Sequence, residues 1–342
     1  MTLRLNWAVS RSCPIFMFVK RFLFMPAITI GVDIAKKKFD AARLQDGKYR
    51  HKVFPNTAEG FAAFVAWLIG FGSDPVLIAM EATGAYSLPL AEFLAAQGFW
   101  VSLVNPAKIK AFAESELSRA KTDKADAKLI ARYAREKQPP RWTPPPPALR
   151  EIQALLRRVE QLQEMLRMEN NRLETADAVA VPSIETLVAT LEQELKTTRE
   201  KIRQRIDNDP DLRQRDDLLQ SIPGIGDATS AHLLVLFSDH RGFENAKQAV
   251  AFVGLAPNPH QSGEAEQTRL CKVGDALLRK VLYFPAVVAS QRNPVLRAFC
   301  ERLKANGKNG KAIICAAMRK LLHIAFGVLK SGKPFDPNLA LA

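Results

Sequence analysis

With 342 residues and 47% hydrophobic side chains, the chain has room for two or more cored domains and is too apolar for a disordered one. Its 49 Lys+Arg against 35 Asp+Glu leave a net charge of +14, spread along the chain rather than held in a tail. That balance suits a polyanionic partner through phosphate neutralisation and counterion release, and no long amphipathic basic helix supports a membrane surface instead. Cys13, Cys271, Cys300 and Cys315 have no C-x-x-C spacing and no paired histidines, so they read as reduced thiols of a cytoplasmic protein rather than a zinc site.

Residues 1–24 mix arginines with short apolar runs broken at Lys20 and Arg21, and no small-x-small cleavage site follows. They read as a mis-called start or a disordered extension, with Met25 as the expected biological start. No segment reads as long and apolar enough to span a membrane. From Ala27 to Asp33 an apolar, β-branched run predicts a buried strand ending in an acid. FDAARL and KYRHKVF, separated by Gln45-Asp46-Gly47, predict an antiparallel hairpin that continues the sheet. Thr57 is placed to cap a helix running to Gly70, and PVLIAME predicts a second buried strand ending in Glu81. A helix over Ser87–Gln97, a strand over Phe99–Val104 and a helix from Pro106 follow. Three antiparallel strands and then helix–strand alternation is the order of an α/β ribonuclease H-like fold, expected over residues 25–140.

Asp123 and Asp126 lie three apart in KTDKADAKLIARYA and share one helix face. Each of the four acids taken alone reads as a solvated cap or a polar helix face. Together, acids at neighbouring strand ends and on one helix face can converge, where they would repel unless a divalent cation neutralised them. Such a cluster suits phosphodiester chemistry, in which two Mg²⁺ ions roughly 3.5–4 Å apart stabilise attacking and leaving oxygens.

Pro139–Pro147 reads as a stiff extended breaker at a domain boundary. Over residues 148–207, Leu149, Ile152, Leu156, Val159, Leu162, Leu166 and Leu173 recur near heptad spacing. Pro182 interrupts them, and Ile184, Leu187, Leu191, Leu195, Ile202 and Ile206 resume the stripe. This predicts an α-helical coiled coil or antiparallel hairpin, either a dimerisation element or a spacer packed on its own chain. A mainly α domain is expected over residues 216–337. It opens with LLQSIPGIGDATSAHLL, helix–turn–helix with Gly224 and Gly226 in the turn, which resembles a helix-hairpin-helix able to offer backbone N–H groups to phosphate. A plain helix connector has the same signature. Arg269, Lys272 and Arg279 follow, with the last two at helical spacing, suited to gripping phosphate or to forming a solvated basic face. His260 reads as a loop residue.

The set GVDIAKKKFD, MEATGAY at Glu81, KTDKADA, LLQSIPGIG, GLAP…QSG and the run from Arg269 to Tyr283, in this order, resembles the IS110 family of transposases from Met25 to about Pro337. The resemblance implies a RuvC-like domain with a DEDD site at Asp33, Glu81, Asp123 and Asp126, a connecting coiled coil, and a C-terminal transposase domain whose catalytic serine falls at Ser262. Without it, Ser262 reads as a loop serine beside a glycine. It further implies Mg²⁺, DNA as substrate (element ends and target), a structured guide RNA, a homo-oligomer (dimer or tetramer), no membrane, and the bacterial cytoplasm near the nucleoid. The expected activity is cleavage and exchange of DNA strands through a serine nucleophile. A RuvC-like hydrolase of branched DNA would need only the acids, and a non-catalytic DNA-binding protein would need neither.

Overall fold

The computed structural model describes residues 28–338 except 71–74, 83, 117–121, 239–241, 263–264 and 271–273, with 258–270 described in the backbone only. The expectation of a Met25 start lies outside them. The chain forms two compact units, one ending at Pro144 and the other beginning at Pro145.

In the first unit, strands β1 (Ile28–Ile34), β2 (Lys38–Gln45), β3 (Lys48–Pro55), β4 (Val76–Glu81) and β5 (Trp100–Val104) form one sheet in the order β3-β2-β1-β4-β5. The first three are antiparallel, and β4 and β5 continue parallel to β1. This mixed five-stranded sheet is consistent with the expected RuvC-like arrangement. Asp46 (φ 48°) and Gly47 (φ 74°) both turn left-handed between β2 and β3, as a two-residue hairpin of matching twist requires. Helices α1 (Ala58–Ile69), α2 (Leu88–Ala96), α3 (Pro106–Ser115) and α4 (Asp123–Lys137) complete the unit. The expected cap of α1 forms: the Thr57 hydroxyl accepts from the Gly60 amide at 3.3 Å.

The two-residue period of the strands sorts their side chains between two cores. Ile28, Ile30, Val32, Phe39, Phe54, Ile78 and Met80 pack with Phe61 and Phe64 of α1 and Leu90 and Leu94 of α2. On the opposite face Leu77, Ala79 and Val104 meet Ile109 and Phe112 of α3 and Ile130, Tyr133 and Ala134 of α4. Residues one step out of phase with the first core, namely Gly31, Asp33, Lys38, Asp40, His51 and Glu81, therefore belong to the α4 face.

Gly31 sets how closely α4 approaches. A Cβ there would stand 2.1 Å from the Ala127 carbonyl oxygen and 2.2 Å from the Ala131 nitrogen, both rigid helix backbone. Gly31→Ala is expected to push α4 off β1 and lower stability by about 1–3 kcal/mol or more. Urea unfolding measures this; an unchanged midpoint would contradict the packing described.

The proline-rich segment after α4 begins hydrogen-bonded to β5 rather than as a free spacer. The buried Ser102 hydroxyl donates to the Pro139 and Pro140 carbonyls (3.0 and 2.7 Å), and the Trp142 amide donates to Val101 O at 2.7 Å. Proline cannot donate a ladder bond, but its carbonyl still accepts one.

The second unit starts with two 27-residue helices, α5 (Pro147–Leu173) and α6 (Val181–Asp207). Pro182 lies in the first turn of α6, where its missing N–H costs nothing, so it starts a helix where the sequence suggested a break. The stripe is buried from Leu149 to Leu162 and from Leu191 to Ile206, while Leu187, Met165 and Met168 are exposed. Then come α7 (Pro210–Gln220), α8 (Asp227–Leu236), α9 (Ala246–Val253), a hairpin of β6 (Pro257–Ser262) and β7 (Ala265–Leu270), and α10 (Ala276–Arg292), α11 (Pro294–Ala305) and α12 (Gly310–Ser331). One core runs from Leu149 of α5 to Val328 of α12.

By length and composition α12 is long and apolar enough to cross a membrane, which corrects the expectation that no segment is. Its Ala317, Met318, Leu321, Leu322, Ala325 and Val328 are buried in the core of this unit.

Candidate acidic active site

Asp33 stands near the end of β1 and Glu81 closes β4, its parallel neighbour, with both side chains on the α4 face. Thr122 caps α4 by accepting from the Ala125 amide at 3.2 Å, which starts the helix so that Asp123 and Asp126 fall in its first turn. There the positive end of the helix dipole favours carboxylates. With Gly31 admitting α4 against β1, the four acids come within electrostatic reach of one another.

Their mutual effect is visible at Asp33. Burial, then the charges of Asp126, Asp123, Glu81 and Asp40, push its carboxyl up to about 6. Burial and then Asp126 also raise Glu81. Asp123 moves the other way, because a hydrogen bond from Lys38 holds its carboxyl below the usual range. Lys38 Nζ donates to Asp123 Oδ2 at 2.8 Å and to Asp40 Oδ2 at 3.2 Å. Among the described residues, no three His, Cys, Asp or Glu side chains stand close enough together to hold an ion as they are. The donor set is nonetheless one that fits a divalent cation: all-oxygen, hard, and destabilised by its own charge.

The sequence is similar to known proteins in both units. Residues 30–176 match the IS110 DEDD family, described as transposase, and residues 216–301 match the transposase IS116/IS110/IS902 family. The chain is 36% identical over 315 residues to the pilin gene-inverting proteins of Moraxella lacunata and Moraxella bovis, covering 91% of this chain and 98% of each relative. It belongs to the IS110 family of transposases. It is also similar to the transposase for insertion sequence element IS1111A of Coxiella burnetii, 37% identical over 65 residues, 19% of this chain and 18% of that one. As an IS110-family transposase it is a DNA-recombining enzyme, and DNA is its partner.

The other residues singled out from the sequence lie in the second unit. Ser262 is the last residue of β6 and pairs with Ala265 across a two-residue connection. Its neighbour His260 lies in the same strand, opposite Gln267, so it is not the loop residue expected. This hairpin was missed from the sequence, although a Gly at the first position of a two-residue loop is a known hairpin signal. Arg269 lies in β7 opposite Asn258, whereas Arg279 lies in α10, whose cap is Asp275. Lys272, and with it the helical face expected to join it to Arg279, lies outside the described residues. Arg279 donates through Nη1 to the Val253 carbonyl at 2.8 Å, covering the C-terminal end of α9. Gly224 (φ +107°) is pressed against α10, where a Cβ would lie 2.7 Å from Ala289 Cβ and 2.9 Å from Pro285 O. Gly226 is exposed and precedes α8, whose first residue, Asp227, accepts from Arg203 at 2.9 Å.

Proposed function

We propose that this transposase cuts and rejoins DNA by transesterification, with Asp33, Glu81, Asp123 and Asp126 holding divalent metal, two Mg²⁺ ions in all, and Ser262 as nucleophile. The carrying observation is that two carboxylates on one sheet face and two in the first turn of α4 lie within electrostatic reach, with Asp33 lifted to about 6 by burial and by its neighbours. When bound, Mg²⁺ supplies positive charge to a scissile phosphate and its leaving oxygen. The Ser262 hydroxyl gives its proton to solvent as its oxygen forms a bond to phosphorus, the P–O bond to the 3′ oxygen breaks, and that oxygen takes a proton from solvent. A 5′-phosphoserine then keeps the bond energy, so rejoining needs no ATP.

The names of the relatives support rejoining over hydrolysis. One set speaks of gene inversion and another of transposition, and both outcomes require broken ends to be resealed. Exchange between two duplexes requires four strand cuts, which favours a homo-oligomer (dimer or tetramer), and α5 with α6 is the proposed coiled-coil element. In the helix-hairpin-helix reading, backbone N–H groups near Gly224 and Gly226 contact phosphate, joined by Arg269, Lys272 and Arg279. The family resemblance supports an element-encoded guide RNA as the source of sequence choice.

The full chain, incubated with duplexes bearing the element ends and Mg²⁺, is expected to yield recombinant joints with no nucleotides lost, and EDTA is expected to stop the reaction. RNA purified with the protein should carry segments complementary to both duplexes. Hydrolysed ends alone would replace this reading with a structure-selective nuclease. Full activity after RNase treatment would remove the guide.

A further inference from the structure

Lys38 sits in a more built arrangement than an ordinary surface ion pair. It opens β2 on the α4 face, two residues before Asp40, and its ammonium bridges Asp40 Oδ2 and Asp123 Oδ2. Asp40 is 5% exposed, and its other oxygen lies 2.7 Å from His51 Nε2 on β3. A carboxylate only accepts, so Nε2 donates and fixes the Asp40 group from behind. Asp40 is also paired directly with Asp33 across the β1–β2 ladder. The ammonium is thus anchored by β2 and β3 at its rear, and its forward contact is an acid on the first turn of α4. Isolated Lys–Asp pairs on surfaces lack such a rear anchor and contribute little.

We infer that Lys38 is a positioning residue that acts as a resident counter-cation: it occupies Asp123 while the acids are empty and yields Asp123 when a divalent ion is loaded. This rests on the proposed metal-holding role of the four acids. The forward contact is suited to being given up, since the side chains of Lys38 and Asp123 are 48% and 59% exposed and the pair is screened by water. The contact to Asp40 is retained, so the ammonium stays beside the acids with one hydrogen-bond donor freed.

A role limited to holding structure predicts that losing Lys38 weakens ion binding. A competing counter-cation predicts the opposite sign. Mn²⁺ binding to the full chain without DNA, read from the electron paramagnetic resonance signal of free Mn²⁺, separates them. Lys38→Met is expected to bind Mn²⁺ about two- to fivefold more tightly than wild type, the scale on which an exposed pair can compete. Lys38→Arg should restore wild-type affinity, and Lys37→Met, an exposed neighbouring cation, should change it by less than Lys38→Met does. Lys38→Gln repeats the test should the methionine variant fold poorly by circular dichroism. Equal or weaker binding by the neutral variants overturns the role of Lys38 alone, provided Asp126→Asn weakens wild-type binding. If Asp126→Asn leaves binding unchanged, the metal reading itself falls, and this inference falls with it.

Discussion

Asp126→Asn and Asp33→Asn are expected to lower DNA strand cleavage by at least about 10³-fold while DNA binding persists. The substitution keeps the shape of the side chain and removes one charged oxygen ligand, whereas DNA affinity rests on the lysines and arginines that give the chain its net +14. Asp33→Asn carries a second signature. Its folded value of about 6 lies above the ordinary 3.8, so between those pH values the folded chain keeps a proton that the unfolded chain has lost. The stability of the metal-free protein therefore falls as pH rises through that window and stays reduced above it. Removing the charge removes the penalty. With solvent screening at a half-buried group, about 1 kcal/mol is expected, or about 2–4 °C in melting temperature. Asp33→Asn should accordingly melt above wild type at pH 8, match it near pH 4, and lose its advantage when Mg²⁺ is added. A variant that melts below wild type at pH 8 would show that Asp33 is not held against its neighbours' charge. Full cleavage activity in Asp126→Asn would remove that residue from the active site.

Ser262→Ala is expected to reduce recombination by about 10⁴-fold or more, the scale seen when a serine nucleophile is deleted. The alanine leaves the strand β6 backbone and its pairing with Ala265 intact, so the loss should come without unfolding. Gel assays of joint formation check it, with circular dichroism as the control for folding. Under a hydrolytic mechanism water attacks in place of serine, and Ser262→Ala would cut as wild type does. That result would leave the four acids as the whole active site.

Much of the first unit was legible because strand parity is a local property. Apolar runs ending in Asp33 and Glu81, the Asp46-Gly47 turn and the Thr57 cap each depend on residues within a few positions of one another. What local reading does not reach is the reason the acids come within electrostatic reach of one another. That depends on Gly31, a residue with no chemistry of its own, whose missing Cβ lets α4 lie against β1. Lys38, Asp40 and His51 were also passed over, since an acid and a base on adjacent strands look like an ordinary polar face until the register aligns them. In the second unit the helices were largely visible from their apolar spacing. The β6–β7 hairpin was not, because Pro257 and Pro259 argue against a strand and only an edge position tolerates them. Ser262 took its expected role from family resemblance alone. A serine next to a glycine has too many uses for spacing to choose among them.

A serine nucleophile requires one covalent bond between protein and DNA. Wild-type protein, stopped in denaturant during recombination of DNA labelled on both strands, is predicted to give an adduct linked to a 5′ phosphate. After protease digestion, mass spectrometry should place the nucleotide on the peptide containing Ser262. The adduct should be absent in Asp33→Asn, Asp126→Asn and Ser262→Ala and after treatment with EDTA. Recombination that proceeds with no adduct, or with the nucleotide attached to any other residue, would contradict a Ser262 nucleophile.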